Sequence, residues 1–309
     1  MMAERIRRAD QVRVRLVPEK TDAYRVLNGP GDGTPGLVLD RYGELGVLRL
    51  YSACWEPHLE WIVATLGGLA WVRVLYRRYG VKSVDGRDGG EVLHGQSLPE
   101  QVVVEEEGVK MLVRPKVGQK TGLFLDQRTH RGLVRQIASG RLVANLFAYT
   151  GGFSVAAALG GASRVHTVDI APAAIEDARE NFRLNGLDPS HHNFETADAF
   201  DWECQGLLDL MILDPPSLGR NEEASRNASL AYRKLHRNHG AKVARDGLLA
   251  TSSCTARVSW AAWSQCVTEG LNKGQWSWIW QSRSPMDHPV ALAHSEGHYL
   301  KFALLRKYA

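Results

Sequence analysis

The sequence predicts an α/β fold in which a doubly wound, largely parallel sheet carries helices on both faces. From about residue 141, short apolar runs typical of buried strands alternate with amphipathic segments typical of helices. Glycine turns separate strand from helix, as at Gly151-Gly152. We therefore expect a Rossmann-like sheet in the C-terminal part of the chain, with its chemistry at the carboxyl ends of the strands.

The elements of this sheet can be assigned in chain order. The helix after the second strand is the clearest, because Ile175, Ala178 and Phe182 recur at helical spacing and Asn185-Gly186 gives a stop signal. A third strand is expected to end at Asp198. The other predicted elements are a strand at 141–147, a glycine turn and helix at 149–161, a strand at 164–169, the helix at 171–186, a strand at 209–214, a polar helix at 222–245 and a strand at 247–253.

The region before this sheet has a different rhythm. Residues 20–105 contain short Val/Leu runs broken by turns, and VVVEEEGVKMLV (102–113) indicates a hairpin that turns at Glu107-Gly108. We predict a smaller N-terminal α+β domain over residues 1–105 and a second domain over residues 106–309.

Composition excludes several classes of protein. The chain has 309 residues, of which 44% are hydrophobic and 23% charged, as in ordinary globular proteins. Its four cysteines have no metal-ligand spacing, so no zinc site is expected. The N-terminus lacks the apolar core of a secretory signal, and no apolar run approaches the length of a membrane-spanning helix. We expect a cytoplasmic protein with no membrane partner and no metal.

The distribution of charge permits an RNA partner. The net charge is +4, with arginines crowded into the first fifteen residues. The segment WVRVLYRRYGVK (71–82) interleaves aromatic and basic side chains, which can stack on bases and bind phosphates. An edge strand with a solvated face is the alternative interpretation of this segment.

Two acids follow predicted strands beside the glycine turn NLFAYTGGFS (145–154). Glycines let a ligand approach the backbone, and the following helix N-terminus favours an anionic group. Asp169 ends the second strand, where a carboxylate can accept both hydroxyls of a ribose, and Asp198 ends the third. Asp169 can also cap the helix that begins near Ala171, and the two roles are compatible.

The motif LDPPSLGR (213–220) places Asp214 and a rigid Pro-Pro corner at the end of a strand. In amine methyltransferases the corresponding acid-Pro-Pro is followed by an aromatic residue that stacks on the base. Ser217 stands at that position here, which argues against an exocyclic amine as the target.

Cys254 ends the strand GLLATSS, the predicted parallel neighbour of the Asp214 strand. A thiol that fills space is one interpretation, because cysteine packs as a small hydrophobe. A nucleophile is the other. Carbon 5 of cytosine or uracil is too electron-poor to take a methyl group directly, and addition of a thiolate to carbon 6 makes it nucleophilic. A nearby carboxyl would then hold the N3 edge of the base.

Eight motifs spread along the chain can be compared with known families. They are GQKTGLFLDQRTHR (118–131), NLFAYTGGFS (145–154), VDIAPAAIEDARENFRLNGL (168–187), DLMILDPPS (209–217), AYRKL (231–235), SSC (252–254), DHPV (287–290) and EGHYLK (296–301). Together they resemble the bacterial large-subunit ribosomal RNA cytosine-5 methyltransferases. The resemblance begins near residue 21 and implies a Rossmann-like class I methyltransferase domain that uses S-adenosyl-L-methionine and binds ribosomal RNA. Family members typically begin with an RNA-binding PUA domain, and this chain is expected to lack it, with only the arginine-rich leader in its place.

The resemblance also implies roles for individual residues. Cys254 would be the nucleophile and Asp214 the acid that contacts the base. Asp169 would bind the ribose of the cofactor, and Asp198 would lie on its adenine side. The remaining residues implied to lie around the cofactor are Phe124, Asp126, Arg128, Asn145, Tyr149, Gly151, Ile170, Ala199 and Asp214 itself.

We therefore predict methyl transfer from S-adenosylmethionine to carbon 5 of a cytosine in 23S ribosomal RNA, through a covalent adduct of Cys254. Three alternatives stay open. They are methylation of another base atom with Cys254 idle, methylation of a small molecule, and an RNA-binding or assembly protein without turnover. A homodimer is also left open.

Overall fold

The computed structural model describes residues 2–86, 88–218, 222–271 and 275–309. The chain divides into two compact units, one of Met1–Arg128 with Pro285–Gly297 and one of Thr129–Ser284 with His298–Ala309. The first unit therefore extends beyond the predicted boundary at 105–106, because the hairpin and the segment after it fold with the N-terminal sheet. The assignment of functional domains to 1–105 and 106–309 stays a prediction.

The first unit contains a five-stranded mixed sheet, in the order β1-β2-β3-β4-β5, and a separate hairpin of β6 and β7. Tyr24, Leu39, Leu48, Ile62 and Leu66 belong to the core between this sheet and its helices. The described elements are α1 (Met2–Leu16), β1 (Ala23–Asn28), β2 (Leu37–Tyr42), β3 (Leu45–Leu50), α2 (Leu59–Gly67), β4 (Val74–Arg78), α3 (Lys82–Asp85), β5 (Gly90–His94), β6 (Val102–Glu106) and β7 (Val109–Val113). The hairpin turns at Glu107 and Gly108, both at positive φ, as predicted.

Both interpretations of the basic-aromatic segment 71–82 are corrected by this sheet. β4 lies between β3 and β5, so it is not an edge strand. Tyr76 and Tyr79 are buried and cannot stack on bases. Arg77 is buried as well and donates to Asp85 (2.9 Å) and to both carboxylate oxygens of Glu56. The charge of Arg77 is thus satisfied inside the unit, and most of the segment packs rather than binds.

The second unit carries the predicted doubly wound sheet. Its described strands have the order β10-β9-β8-β11-β12-β14-β13, in which all neighbours from β10 to β12 are parallel and β14 is antiparallel to both of its neighbours. The elements are α4 (Arg128–Ile137), β8 (Leu142–Leu146), α5 (Gly152–Leu159), β9 (Arg164–Asp169), α6 (Pro172–Leu184), β10 (Asn193–Thr196), β11 (Leu208–Leu213), α7 (Glu222–Gly240), β12 (Val243–Ser253), α8 (Trp260–Gly270), β13 (Trp276–Ser282) and β14 (Lys301–Lys307).

The prediction of alternating strands and helices is confirmed for this unit, with small shifts at the ends of elements. β10 ends at Thr196, so Asp198 follows the third strand instead of ending it. α7 ends at Gly240, and β12 begins at Val243, before the predicted start of that strand. In the described parts of the chain, no helix is both long and apolar enough to cross a membrane, and no cluster of His, Cys, Asp and Glu could hold a metal ion.

Helix α7 is held against β12 by a buried histidine. Nδ1 of His236 lies 2.6 Å from the carbonyl oxygen of Tyr232, and Nε2 lies 2.9 Å from Oγ1 of Thr251. A neutral ring protonated at Nδ1 satisfies both contacts, because it donates to the carbonyl and accepts from the hydroxyl. Burial lowers the pKa of His236 to about 4. The neutral form is therefore part of the packing.

We expect this histidine to make the protein sensitive to acid. The folded-state pKa of His236 lies below the ordinary value of 6.5, so its contribution to stability is complete above that pH and is lost as the pH falls toward 4. The slope in this window is about 1.4 kcal/mol per pH unit for one such group. Denaturant unfolding between pH 7 and pH 4 should show a shallower loss for His236→Gln than for wild type. His191→Gln, at an exposed ring, is the control, and equal slopes for wild type and His236→Gln would contradict the expectation.

Candidate active site

The order of the parallel strands reverses between β8 and β11, which are direct neighbours in the sheet. In an open α/β sheet the crevice at such a reversal, beside the carboxyl ends of the strands, is where ligands bind. The predicted cofactor and base residues of the second unit lie at or just after the carboxyl ends of β8, β9, β10, β11 and β12. The topology therefore gathers them at one edge of the sheet.

The turn after β8 is held in a strained conformation. Phe147 and Tyr149 have φ of 60° and 49°, in the left-handed region that few non-glycine residues occupy. The backbone N–H of Tyr149 donates to Oδ2 of Asp169 (2.7 Å), and that of Ala171 donates to Oδ1 (2.9 Å). One carboxylate thus fastens the turn after β8 to the start of α6. Strain of this kind persists where the surrounding structure holds it and is common at ligand sites.

The same carboxylate suits the predicted ribose. Each oxygen of Asp169 accepts one of these backbone N–H groups, and a carboxylate oxygen has further acceptor capacity for a hydroxyl. Ile170 follows directly and leaves 69% of its surface exposed, an apolar side chain suited to the face of a base. Asp198 is exposed and accepts from the N–H of Phe200 (2.9 Å), while the next residue, Ala199, is buried.

Two buried oxygens beside this turn lack partners. Oδ1 of Asn145, on β8, and Oγ1 of Thr150 make no hydrogen bond to any described residue. The amide nitrogen of Asn145 donates to Ser154 at 2.9 Å, which orients the side chain. Orphaned buried acceptors of this kind fit a site that receives a polar ligand or an ordered water. Both oxygens are thus available to a polar ligand bound at this edge of the sheet.

Helix packing requires a glycine at position 151. Its φ of +74° is unfavourable for other residues, and a Cβ there would lie 2.8 Å from Cβ of Ala178 on α6. The glycine is therefore required for α5 to pack against α6. Its predicted contact with the cofactor stays a prediction.

The predicted cofactor residue Phe124 lies in the first unit, in the segment 120–128 that follows the hairpin. Thr121 donates to Asp40 (2.6 Å) and makes a hydrogen bond with the hydroxyl of Tyr42 (2.7 Å), which fastens the segment to β2. The structure describes all of residues 121–128, and Phe124 is the only one of them that is not buried. Phe124 is thus the side chain that this segment presents.

Asp126 and Arg128, the other two predicted cofactor residues of the first unit, are buried. Each forms an ion pair with a different residue. Nζ of Lys120 donates to both oxygens of Asp126 (2.9 and 2.7 Å) and lies 4.1 Å from the ring centroid of Phe124. Arg128 makes a two-fold contact with Asp287 (2.6 and 3.2 Å). Both pairs stabilise the first unit, and the predicted places of Phe124, Asp126 and Arg128 beside the cofactor stay predictions.

Cys254 is half-buried, is not part of a disulfide, and lies between two fully buried neighbours. The hydroxyl of Tyr232, on α7, donates to Oγ of Ser253 (2.8 Å) and makes a hydrogen bond with Oγ1 of Thr255 (3.0 Å). The N–H of Leu218 donates to the same Thr255 oxygen (3.3 Å). Burial raises the pKa of Tyr232 to about 12, so the phenol keeps its proton near neutral pH. Hydrogen bonds therefore fix the residues on both sides of Cys254.

Asp214 follows β11 and lies next to β12, as predicted, but its direct neighbour is Ser252. The parallel register pairs Leu213 with Thr251, which places Asp214 opposite Ser252. The hydroxyl of Ser252 donates to Oδ1 of Asp214. Cys254 lies two residues farther along. The strand ends thus bring acid and thiol to one corner, with Ser252 orienting the carboxyl.

Sequence reasoning assigned no role to Tyr232, Ser252, Thr255 or Lys301, which support this corner. Lys301 begins β14 and donates through Nζ to the carbonyl oxygens of Thr255 (3.0 Å) and Tyr299 (2.8 Å). The only signal for Tyr232 and Lys301 was their presence in the motifs AYRKL and EGHYLK.

Comparison with known proteins decides the family. A family described as S-adenosylmethionine-dependent methyltransferase matches residues 64–257. The chain belongs to this family. S-adenosylmethionine is accordingly its cofactor, and the predicted Rossmann-like methyltransferase fold is confirmed.

Named relatives of this methyltransferase cover most of its length. A ribosomal RNA large subunit methyltransferase of Deinococcus radiodurans is 40% identical over 298 residues, which are 93% of this chain and 72% of the relative. Ribosomal RNA large subunit methyltransferase I of Erwinia tasmaniensis is 35% identical over 309 residues, which are 96% of this chain and 78% of the relative. The resemblance found in the sequence is thereby confirmed.

Solved structures agree with this assignment. SMU.776, described as a methyltransferase and crystallised with SAH, superposes with a TM-score of 0.88 at 28% identity, covering 98% of this chain and 80% of that chain. Trm5b of Pyrococcus abyssi superposes with a TM-score of 0.65 at 17% identity, covering 88% of this chain and 75% of that chain, and this likeness concerns the fold alone.

Proposed function

We propose that this methyltransferase acts on large-subunit ribosomal RNA in the cytoplasm and methylates carbon 5 of a cytosine through a covalent adduct of Cys254. The observation that carries the proposal is the clamped thiol at the end of β12, at one corner with Asp214. The names of the curated relatives support ribosomal RNA as the substrate. The target base must be unpaired or flipped out to reach this corner.

Cys254 and Asp214 have different roles in the proposed reaction. The Cys254 thiolate adds to carbon 6 of the base, and the electron pair of the 5,6 double bond makes carbon 5 nucleophilic. Bound S-adenosylmethionine supplies an electrophilic methyl group. A water molecule takes the carbon 5 proton, and the electron pair of the broken C–H bond restores the double bond as the sulfur leaves carbon 6 with its own electron pair. The carboxyl of Asp214, oriented by Ser252, would hold the N3 edge, which gains electron density when the thiolate adds.

Nucleoside analysis tests the proposal directly. Unmodified large-subunit RNA is incubated with the enzyme and S-adenosylmethionine labelled in its methyl group, and the RNA is digested to nucleosides. We expect the label in 5-methylcytidine. Label in another nucleoside would favour methylation of a different base atom, with Cys254 idle. If the enzyme binds the cofactor and RNA but labels neither intact ribosomal RNA nor ribosomal subunits, the proposal fails.

The surface of α1 leads to a prediction about RNA affinity. Arg7, Arg8 and Arg15 are exposed on this helix, whereas Arg13 is buried against Asp32. We expect weak, salt-sensitive binding to naked RNA, dominated by phosphate contacts of the exposed arginines. Changing Arg7, Arg8 and Arg15 to Ala should lower the slope of log affinity against log salt concentration by about 2, at about 0.7 per contact for single strands.

The control for this prediction is a triple variant that removes equal charge elsewhere. Arg164, Arg183 and Arg245 are also exposed, and they lie on β9, α6 and β12 of the second unit. Their change to Ala should leave the slope nearly unaltered. Filter binding over a range of salt concentrations measures both variants. Tight binding of wild type that is insensitive to salt would contradict the expectation.

A further inference from the structure

Lys301 is fixed beside the nucleophile by strand pairing and by two hydrogen bonds. β14 runs antiparallel to β12 in a register that places Lys301 opposite Ser253, the residue before Cys254. Its ammonium group reaches the carbonyl oxygen of Thr255, the residue after Cys254, at 3.0 Å, and that of Tyr299 at 2.8 Å. The lysine thus connects the residues on either side of the thiol, and its ammonium group is held by two backbone carbonyls.

The burial of this ammonium group calls for a negative charge. Lys301 is only 2% exposed, and an ammonium group taken out of water is costly unless a charge compensates it. Of the four other buried lysines and arginines of the described residues, Arg13, Arg77 and Arg128 each contact a carboxylate. The two acceptors of Lys301 are neutral carbonyls, and no carboxylate among the described residues forms an ion pair with it. Its counter-charge must come from another group.

Among the titratable groups around this corner, one can supply the negative charge that compensates Lys301. Asp214 comes from the end of β11, accepts a hydrogen bond from Ser252, and forms no ion pair with Lys301. The phenol of Tyr232, from α7, keeps its proton, and Arg283, after β13, carries the same sign as Lys301. A charged Cys254 interacts with Lys301 favourably, and this is the largest effect that opposes its burial. The thiolate is therefore the partner that the ammonium group lacks.

We propose that Lys301 is a positioning residue that holds Cys254 as a thiolate: the thiol gives its proton to solvent, the electron pair stays on sulfur, and the fixed ammonium group compensates the charge. The inference rests on the proposed function, in which Cys254 is the nucleophile. It supplies what that function needs, because a thiol with an ordinary pKa is only a few per cent ionised at neutral pH.

Lys301 carries its positive charge at neutral pH, where the enzyme would work. Burial lowers the pKa of Lys301 to about 8, the thiolate of Cys254 acts in the opposite direction, and Arg283 adds to the lowering. The group is therefore mainly charged at neutral pH and loses its charge above about 8. The two groups titrate as a coupled pair, so each raises the charged fraction of the other.

The test measures ionisation of the thiol and does not depend on turnover. Alkylation of Cys254 by iodoacetamide is followed across a pH series by mass spectrometry of the tryptic peptide 246–257, which contains this cysteine and no other. We expect the midpoint of the rate profile to rise by about one pH unit in Lys301→Gln, the size of shift that a nearby opposite charge produces. An unchanged midpoint overturns the inference.

A matched control exists on the same strand. Lys307 also lies on β14 and also donates to two backbone carbonyls, of Val243 (2.8 Å) and Gly240 (3.5 Å), at the other end of the strand. Lys307→Gln removes a partly exposed lysine of the same strand without touching the corner, and its midpoint should equal that of wild type. A rise of the midpoint in this variant as well would overturn the inference, because it would mark a general effect of the strand.

A reciprocal measurement covers the case in which Lys301→Gln fails to fold. Cys254→Ala leaves the contacts of Ser253 and Thr255 in place and should fold. Because coupling between two groups is reciprocal, the pKa of Lys301, followed by NMR of lysine labelled with ¹³C at Cε, should fall in Cys254→Ala by as much as the thiol midpoint rises. An unaltered lysine titration would overturn the inference.

RNA that contains 5-fluorocytidine separates this inference from the proposed function. If wild type forms a covalent adduct with it and neither titration shifts, the role of Lys301 fails and the proposed function stands. If both titrations shift and no adduct forms, the ion pair stands and the proposed function fails.

Discussion

Cys254→Ala is expected to bind S-adenosylmethionine as wild type does and to transfer methyl groups to RNA at less than about one thousandth of the wild-type rate. Removal of a covalent nucleophile has effects of at least this size in other enzymes. The change should leave the corner intact, because the hydroxyl of Tyr232 bonds to Ser253 and Thr255 on either side of the thiol. Asp169, which is predicted to bind the cofactor, ends a different strand, β9.

The measurement pairs calorimetry for cofactor binding with transfer of labelled methyl groups to RNA. RNA that contains 5-fluorocytidine should form a covalent adduct with wild type, because fluorine at carbon 5 cannot leave as a proton does. The adduct should be absent with Cys254→Ala. Methyl transfer by the alanine variant at a rate near that of wild type would remove the thiol from the mechanism.

Two other cysteines are controls for this result. Cys204 is half-buried and lies 3.7 Å from the carbonyl oxygen of Gly206, away from the ends of β11 and β12. Cys266 is buried in α8, within the core. Cys204→Ala and Cys266→Ala should both retain activity, although the second should lower stability by about 1 kcal/mol through the loss of buried volume. Loss of activity in either would show that methyl transfer is sensitive to cysteine packing in general.

Asp169→Ala is expected to weaken S-adenosylmethionine binding about 100-fold or more. Hydrogen bonds to a charged group contribute about 1.5–3 kcal/mol each, and the ribose would lose two. The variant also frees the N–H groups of Tyr149 and Ala171, which loosens the turn after β8. Calorimetric titration of the cofactor into wild type and variant measures the loss.

Asp169→Asn separates the effect of losing the charge from the effect of loosening the turn after β8. The amide keeps the size of the side chain and one acceptor oxygen, so the turn should be held better than in the alanine variant while the charge is lost. Its affinity should lie between those of wild type and Asp169→Ala. Glu176→Gln, at an exposed side chain of α6, removes the same charge nearby and should bind normally. Equal affinity of wild type and Asp169→Ala would exclude the aspartate from the cofactor site.

The parallel sheet was accessible to sequence reasoning because its signals are local. Apolar runs such as DLMIL, and the helical spacing of Ile175, Ala178 and Phe182, report burial without reference to distant residues. The acids and the thiol that follow the strands could be placed at one edge because parallel strands share that edge.

The segment 71–82 was misread because its partners lie outside it. Nothing in the alternation of arginine and tyrosine shows that Glu56 and Asp85 will enclose Arg77. A basic-aromatic pattern has the same appearance whether it binds phosphates or packs inside a sheet. Only the tertiary pairing of β4 between β3 and β5 distinguishes the two.

The support of Cys254 was likewise invisible along the chain. Ser252 faces Asp214 because of the register between β11 and β12, which a shift between Leu208 and Leu210 sets. Lys301 reaches the carbonyl oxygen of Thr255, the residue after Cys254, only because β14 enters the sheet between β12 and β13 and runs antiparallel to both of them. Register and strand insertion are long-range properties, and a one-residue difference in register would exchange the faces of a whole strand.

The insertion of β14 also bears on how the protein emerges from the ribosome. Synthesis proceeds from the N-terminus, so β12 and β13 are made before the strand that separates them. Until residues 301–307 leave the exit tunnel, β12 presents an unpaired edge and Cys254 has no ammonium group beside it. If Lys301 acts as proposed, the thiol of a nascent chain is still poorly ionised at that stage. The reactive form of the cysteine would arise only when the sheet closes.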